Sequence, residues 1–469
     1  TTEIYTLSLH DALPIYHGPT LYYATVPLML LRGRTDFGQI GIADYRLVTI
    51  GFGVLLIWLM PLAMPKTSRA GQVVAGLLVA LSPVLGYYSR YYIQEMLLAA
   101  FTVAFLGALY RTVERRDGRW LIGSGVLAGL MVSTKETATL SFIAAALALL
   151  AIRQPKPEAD GAPTIARRHW LWAVGLFCAT AFVLLSGLFH APGAPFAFLR
   201  SVATWGERAT GGEMHTQPAI YYLRLLAYAK LRGGFYSEGF ILVLAVLGAL
   251  LGWRRCGWSR FVTVYALLIT AAYSAIPYKT PWCVVQLVTP YILLAGAGAG
   301  ALLGAPRWWV KLPAALLIVA GLVHLGLLSQ KINHRLLMDR RNPYSHSLTA
   351  PDVEDLADTV ERVAKVLPQG NKSMVVVIGT DNYYWPIPWY LRRLPNIGWF
   401  NHLPTETELG GKLAVAPIVI AAPKYQKDLQ KTLGATHESV QTYGLRSRVF
   451  FELWVEKSAW AKTVGPVQP

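Results

Sequence analysis

Charge is what this sequence has least of. Of its 469 residues only 15% are Asp, Glu, Lys or Arg, against about 25% in a soluble domain. Apolar residues make up 54% of the chain. This balance excludes an ordinary soluble enzyme and a disordered chain. Cysteine is almost as scarce: Cys178, Cys256 and Cys283 are scattered, with no CxxC spacing. That excludes a disulfide framework and a zinc module, and leaves the three as apolar fillers or free thiols. No ligand cluster calls for a metal, and there is no sustained internal repeat. What the chain does have is Trp (15), Tyr (24) and long apolar runs, the composition of a polytopic membrane protein.

Ten segments are apolar enough to cross a bilayer: 46–64, 70–88, 95–111, 119–135, 137–152, 169–190, 236–252, 257–277, 282–304 and 311–329. A weaker apolar segment, Thr20–Leu31, reads as a half-helix at the interface. The net charge of +17 would suit a nucleic-acid binder, but its distribution argues otherwise. The connections at 65–69, 111–119, 153–168, 253–260 and 305–311 hold 15 Lys/Arg in 45 residues, and the alternate connections only 8 in 61. The basic excess therefore orients the chain, with the first set cytoplasmic. No nucleic-acid module accompanies it. The links at 89–94, 133–136, 191–235 and 277–282, and everything after about residue 330, then face outward.

After residue 330 the pattern changes. Asp352–Val366 and Lys424–Leu433 read as helices, and Met374–Ile378, Pro417–Ala421 and Val449–Val455 as strands. Alternation of this kind predicts a small α/β domain outside the membrane. The run Gly296, Gly298, Gly300, Gly304 lies in an apolar segment with no preceding strand. It reads as a close helix-packing face rather than a nucleotide loop.

Acid–base chemistry must draw on few groups, since residues 1–329 contain only thirteen carboxylates. Four outward constellations stand out. The link Gly86-Tyr87-Tyr88-Ser89-Arg90-Tyr91-Tyr92-Ile93-Gln94-Glu95 packs a cation, a carboxylate and four tyrosines between two spans; it is either an interfacial belt with a snorkelling arginine or a site. In Ser133-Thr134-Lys135-Glu136-Thr137 the two charges either neutralise each other or offer an ammonium to a phosphate. In Ile276-Pro277-Tyr278-Lys279-Thr280-Pro281-Trp282 two prolines interrupt helix and hold Lys279 among aromatics at membrane depth. His215-Thr216-Gln217-Pro218, followed by Tyr221-Tyr222, is the weakest, because a lone His is usually structural. Three cations, Arg90, Lys135 and Lys279, with carboxylates and aromatics on one face, predict an outward site for a phosphorylated lipid.

These motifs in this order resemble the GT-C superfamily of integral-membrane glycosyltransferases: Tyr16-His17-Gly18-Pro19 with Leu21-Tyr22-Tyr23, then SPVLGYYSRYYIQE, STKET, HTQPAIYYL and IPYKTPW. The branch is the protein O-mannosyltransferase and aminoarabinose-transferase type, and the resemblance is greatest to a prokaryotic flippase-activity-associated family. It spans residues 16–330, with Asp381-Asn382-Tyr383-Tyr384-Trp385-Pro386 added in the tail. It implies a mainly α, polytopic fold with about ten transmembrane helices, and transfer of a sugar from a polyprenyl-phosphate donor to a glycan, lipid or protein acceptor. The place implied is the outer face of the cell (inner or plasma) membrane, with the C-terminal domain on the same side. By this resemblance Glu95 matches a catalytic acidic position, and Arg90, Lys135 and Lys279 match donor-phosphate positions. His17, Tyr88, Tyr91, Glu136, His215, Tyr278 and Trp282 line the substrate site. No cofactor is implied beyond the lipid-linked donor.

The sequence departs from the family in one place. The Asp-Glu pair expected in the first outer loop does not precede His17, and the first span is absent. Residues 1–15, with the string YTLSLHDALPI, resemble a translated sequencing adapter, so His10 and Asp11 are not recruited as a catalytic pair. The chain is then expected to be N-terminally truncated, without its main base and inactive as it stands. The domains expected are this leader, a first outer loop at 16–45, a transferase-like membrane domain at 46–330 and an α/β domain at 331–469. The alternative to transfer is an accessory role in exporting lipid-linked sugars without cleaving them.

Overall fold

The computed structural model describes residues 17–152, 165–200, 216–231, 234–337, 339, 341–346, 349–380, 383–446 and 448–465. The expected leader, His215, Glu207, Glu213 and the pair Asp381-Asn382 lie outside the described residues.

The helical part runs through α1 (Thr20–Leu31), α2 (Ile42–Trp58), α3 (Arg69–Leu81), α4 (Pro83–Tyr88), α5 (Glu95–Arg115), α6 (Gly118–Val132), α7 (Ala138–Leu150) and α8 (Arg167–Leu185). It continues with α9 (Tyr221–Ala227), the hairpin β1 (Ala229–Leu231) and β2 (Gly234–Tyr236), then α10 (Gly239–Trp253), α11 (Gly257–Ala275), α12 (Val284–Leu303) and α13 (Trp308–Gln330). Each of the ten apolar segments read from the sequence carries a helix. Two depart from expectation: the helix of the segment 46–64 ends at Trp58 and a short helix, Met60–Ala63, follows, and the segment 70–88 is broken at Ser82. Pro83 has no N–H to continue the ladder, and the Ser82 hydroxyl instead accepts from the Leu85 amide, opening a new short helix.

Four helical stretches among the described residues are long and apolar enough to cross a membrane: Glu95–Arg115, Arg167–Leu185, Pro281–Leu303 and Trp308–Arg335. They sit differently. The first and third are enclosed by neighbours, whereas only 11% of the Arg167–Leu185 window and 28% of the Trp308–Arg335 window are buried. Trp170, Leu171, Trp172, Trp308, Leu316 and Leu317 are therefore exposed apolar surface. Patches of this size are rare on water-soluble monomers and natural against lipid.

The glycine run packs helices closely, as its spacing predicts. A Cβ on Gly298 would lie 2.4 Å from the Leu244 carbonyl oxygen, and one on Gly248 only 2.0 Å from that of Leu294. α10 and α12 therefore touch backbone to backbone. Gly296 and Gly300 do the same against Gly71 of α3.

The C-terminal part is a five-stranded sheet in the order β4-β3-β5-β7-β6. β3 (Val375–Ile378), β4 (Ile397–Phe400) and β5 (Ile418–Ala421) are parallel; β6 (His437–Arg446) and β7 (Val449–Glu456) complete it antiparallel. α14 (Asp352–Val366), α15 (Gln426–Leu433) and α16 (Lys457–Val464) pack around it. Two apolar layers result, Val375, Val377, Ile418 and Leu453 on one face and Val376, Val419 and Trp454 on the other. β4, β6 and α16 were not among the elements read from the sequence. This sheet meets the helical part through Trp389, whose ring lies 5.8 Å from Phe37 and 5.5 Å from Tyr45, and through Arg392, which donates to the Ile40 carbonyl at 3.1 Å.

Candidate functional site

Three interhelical links converge at one end of the bundle: Ser89–Gln94 before α5, Ser133–Thr137 between α6 and α7, and Ile276–Cys283 between α11 and α12. The convergence is held by hydrogen bonds. The Lys135 ammonium pairs with the Glu95 carboxylate, both buried. From the start of α12, the Gln286 amide donates to the Glu95 carbonyl at 3.1 Å. The Tyr222 hydroxyl donates to the Thr280 carbonyl at 3.1 Å, so α9 closes over the third link.

The segment at His17 docks on the second link. The Gly18 amide donates to the Thr134 carbonyl at 3.2 Å, and the Thr20 amide and hydroxyl both donate to that of Ser133, at 3.3 and 2.7 Å. Only glycine permits this approach, because a Cβ at Gly18 would lie 1.8 Å from the Ser133 oxygen. His17 Nδ1 then lies 3.0 Å from Glu136 Oε2. Four residues singled out from the sequence, His17, Glu95, Lys135 and Glu136, thus form two adjacent acid–base pairs.

The other two cations are held differently. Arg90 donates to the Asn333 carbonyl, and Lys279 to the Ile276 carbonyl. Among the described residues neither has a carboxylate partner. Burial, with Arg46 nearby, pulls the Arg90 guanidinium below its ordinary pKa, and burial does the same to the Lys279 ammonium. Among the described residues each is a cation with no ion-pair partner, Arg90 partly buried and Lys279 fully so.

Aromatic side chains surround the cluster. Tyr88 packs edge-on to Tyr87 and Tyr91, and the Trp282 ring lies 5.1 Å from that of His346. Tyr278 pairs in an antiparallel bridge with Thr216, the residue after His215. The fourth constellation is thereby brought to the third, although His215 itself is outside the described residues.

Two supporting groups escaped the sequence reading. Glu238, fully buried, accepts from Ser82 Oγ at 2.6 Å, the Val84 amide at 2.9 Å and the Tyr344 hydroxyl at 2.8 Å. The Tyr344 carbonyl in turn accepts from Tyr88 at 2.8 Å. Asp44, also buried, pairs with Arg32 at 3.0 Å. No group of three His, Cys, Asp or Glu among the described residues is placed to hold a metal ion.

Comparison with known proteins agrees with this architecture. The family model described as dolichyl-phosphate-mannose-protein mannosyltransferase matches residues 17–186. A search of the curated proteins gives no match. Among solved structures, ArnT from Cupriavidus metallidurans bound to undecaprenyl phosphate is similar over 96% of this chain and 89% of its own, at 15% identity and a TM-score of 0.62. Its apo state is similar over the same shares, at 14% identity and a TM-score of 0.61. The Archaeoglobus fulgidus oligosaccharyltransferase is similar over 92% of this chain and 65% of its own, at 13% identity and a TM-score of 0.49. The fold is that of the GT-C membrane glycosyltransferases. The sequence match over residues 17–186 falls in the same superfamily.

Proposed function

We propose that this protein transfers a sugar from a polyprenyl-phosphate donor to an acceptor hydroxyl at the outer face of the cell membrane. The observation that carries the proposal is the pair of under-compensated cations, Arg90 and Lys279, at the same helix ends as the buried Glu95–Lys135 pair. A lipid phosphate supplies the missing charge. The family match and the fold shared with ArnT, which binds undecaprenyl phosphate, support the same donor class.

The chemistry follows from the pairing. Donor phosphate gives Lys135 a second anion and loosens its hold on Glu95. Glu95 then takes the acceptor proton as the hydroxyl oxygen bonds to the anomeric carbon. The bond from that carbon to the phosphate oxygen breaks, and its electron pair leaves with the polyprenyl phosphate. Lys135, Arg90 and Lys279 stabilise the departing charge. Glu136 and His17 line the acceptor side, with Tyr88, Tyr91, Tyr278 and Trp282 as apolar walls.

The test is binding of undecaprenyl phosphate to the purified chain in nanodiscs. Lys279→Ala and Arg90→Ala are each expected to weaken it about tenfold, near 1.4 kcal/mol, and undecaprenol is expected to bind no better than to the variants. Equal affinity for the phosphate and the alcohol would refute a phosphate site. One observation favours the accessory reading. The buried carboxylates Glu95, Glu136, Asp44 and Glu238 are all engaged, which suits a protein that holds a lipid-linked sugar without cleaving it. Transfer of labelled sugar by the protein completed with the acidic pair expected in its first outer loop, abolished by Glu95→Gln, distinguishes the two; donor binding without transfer by that completed protein, with loss of lipid-linked sugar export in a deletion strain, would establish the accessory role.

A further inference from the structure

A second chemically loaded surface lies in the C-terminal sheet. Its order β4-β3-β5 means that the chain leaves β3 to one side to build β4 and passes to the other side to build β5. The boundary between β3 and β5 is therefore the point where strand order reverses. In open α/β sheets ligands bind outside the carboxyl ends of the strands at such a point, because the connections diverge there and leave a crevice. Here the crevice encloses about 510 Å³ and is lined by Thr380, Tyr383, Lys424, Arg448 and Phe450.

Its walls combine two chemistries. Tyr383 and Phe450 are half-exposed, at 51% and 50%, and present ring surface to the crevice mouth. The Arg446 guanidinium lies 5.2 Å from the centre of the Tyr383 ring. Lys424 follows the end of β5, and Arg448 sits in the turn between β6 and β7. Among the described residues neither Lys424 nor Arg448 has a carboxylate partner. α15 begins two residues after Lys424, and its amino end adds positive potential to the same rim. The Lys424 ammonium lies 4.6 Å from the centre of the Tyr425 ring, a contact that leaves its charge uncancelled. Cations without a carboxylate partner beside half-exposed aromatic rings recognise a sugar ring that bears a negative group: the rings stack on its apolar face and the cations hold the anion.

We infer that this crevice binds an anionic saccharide, its charged group held by Lys424 and Arg448 and its ring laid on Tyr383 or Phe450. As the docking point of an acceptor glycan, the site rests on the transfer reading above; as a binding site it stands apart from it. The full chain in nanodiscs, without donor lipid, is titrated with glucose 1-phosphate, glucuronate and glucose and followed by saturation-transfer NMR. At least one anionic sugar binds ten or more times tighter than glucose, and which one it is shows whether phosphate or carboxylate is recognised. The double variant Lys424→Ala/Arg448→Ala loses tenfold or more in affinity. Tyr383→Leu with Phe450→Leu removes saturation transfer to the ring protons. All four side chains line an open crevice, and an unchanged melting temperature shows that the variants are folded. Undecaprenyl phosphate binding stays at its wild-type level in the double variant, which keeps this test separate from that of the donor site. Glucose binding as well as either anion, or anion binding that survives in the double variant but is lost in Arg90→Ala/Lys279→Ala, overturns the inference.

Discussion

Glu238 offers the sharpest test of how the helix ends are held together. Its carboxylate accepts three hydrogen bonds, from Ser82, the Val84 amide and Tyr344, in a site closed to solvent. Glu238→Ala strands all three donors. A buried donor left without a partner costs about 1–3 kcal/mol, and the bond that Ser82 accepts from the Leu85 amide leaves its hydroxyl proton stranded with the other two, so a total near 4 kcal/mol, toward the lower end of three such costs, is expected. At about 2.1 cal/mol/K per residue, a helical unit of roughly 300 residues unfolds with an entropy near 0.6 kcal/mol/K, so the melting temperature falls by about 6 °C. Glu238→Gln keeps an acceptor oxygen and loses less. The diagnostic variant is Tyr344→Phe in the Glu238→Ala background. Removing the stranded hydroxyl is expected to recover about 1 kcal/mol, whereas Tyr344→Phe alone destabilises by a similar amount. Melting curves of the four proteins in one detergent read this cycle. Additive losses would refute the network, since two independent residues have no reason to compensate.

Two further predictions concern packing and pH. Gly298→Val places side-chain atoms where the Leu244 carbonyl and Gly248 already lie, forcing α10 and α12 apart. A cost of about 1–3 kcal/mol or more follows, seen as a lowered melting temperature and broadened elution on size exclusion, while Gly123→Val, which meets no atom within 4 Å, leaves both unchanged. In the C-terminal sheet, buried His437 donates from Nε2 to the Ala416 carbonyl at 2.9 Å, and its Nδ1 lies 2.8 Å from the Thr436 hydroxyl. Burial lowers its pKa below the ordinary histidine value. The folded state then binds fewer protons than the unfolded state, so the His437 contribution is complete above the unfolded pKa, near 6.5, and is lost as pH falls through the lowered folded value. His437→Asn removes that dependence, read as the difference in melting temperature between pH 7.5 and pH 5; an unchanged difference would count against a neutral buried imidazole.

The helices and the chemical residues were legible for one shared reason. In a chain with so few charges, every ionisable group beside an apolar run carries a desolvation cost, so Arg90, Glu95, Lys135 and Lys279 stand out against their background. The strands of the C-terminal sheet divide on similar grounds. β3 and β5 are buried on both faces and read as continuous apolar runs. β6 is an edge strand with exposed Glu438, Ser439, Gln441 and Thr442, and β4 carries a glycine in four residues; neither presents a pattern that distinguishes it from loop.

Partners were harder to read than positions. The two readings of the Lys135 turn, mutual neutralisation with Glu136 or attraction of a phosphate, both assumed a partner nearby in sequence or outside the chain. The structure instead pairs Lys135 with Glu95, forty residues away, and gives Glu136 to His17. Nothing in local spacing fixes that exchange; it depends on how α5, α6 and α7 meet. Arg90 and Lys279 are joined to main-chain carbonyls, acceptors that every residue supplies and no side-chain pattern can point to. The consequence is a division of labour that composition alone does not contain. Lys135 is already neutralised by Glu95, whereas Arg90 and Lys279 have no carboxylate partner among the described residues. Under the function proposed above, donor phosphate would engage those two first, and Glu95 would become available as a base only after that step. A transferase built this way would withhold its base until the donor is bound.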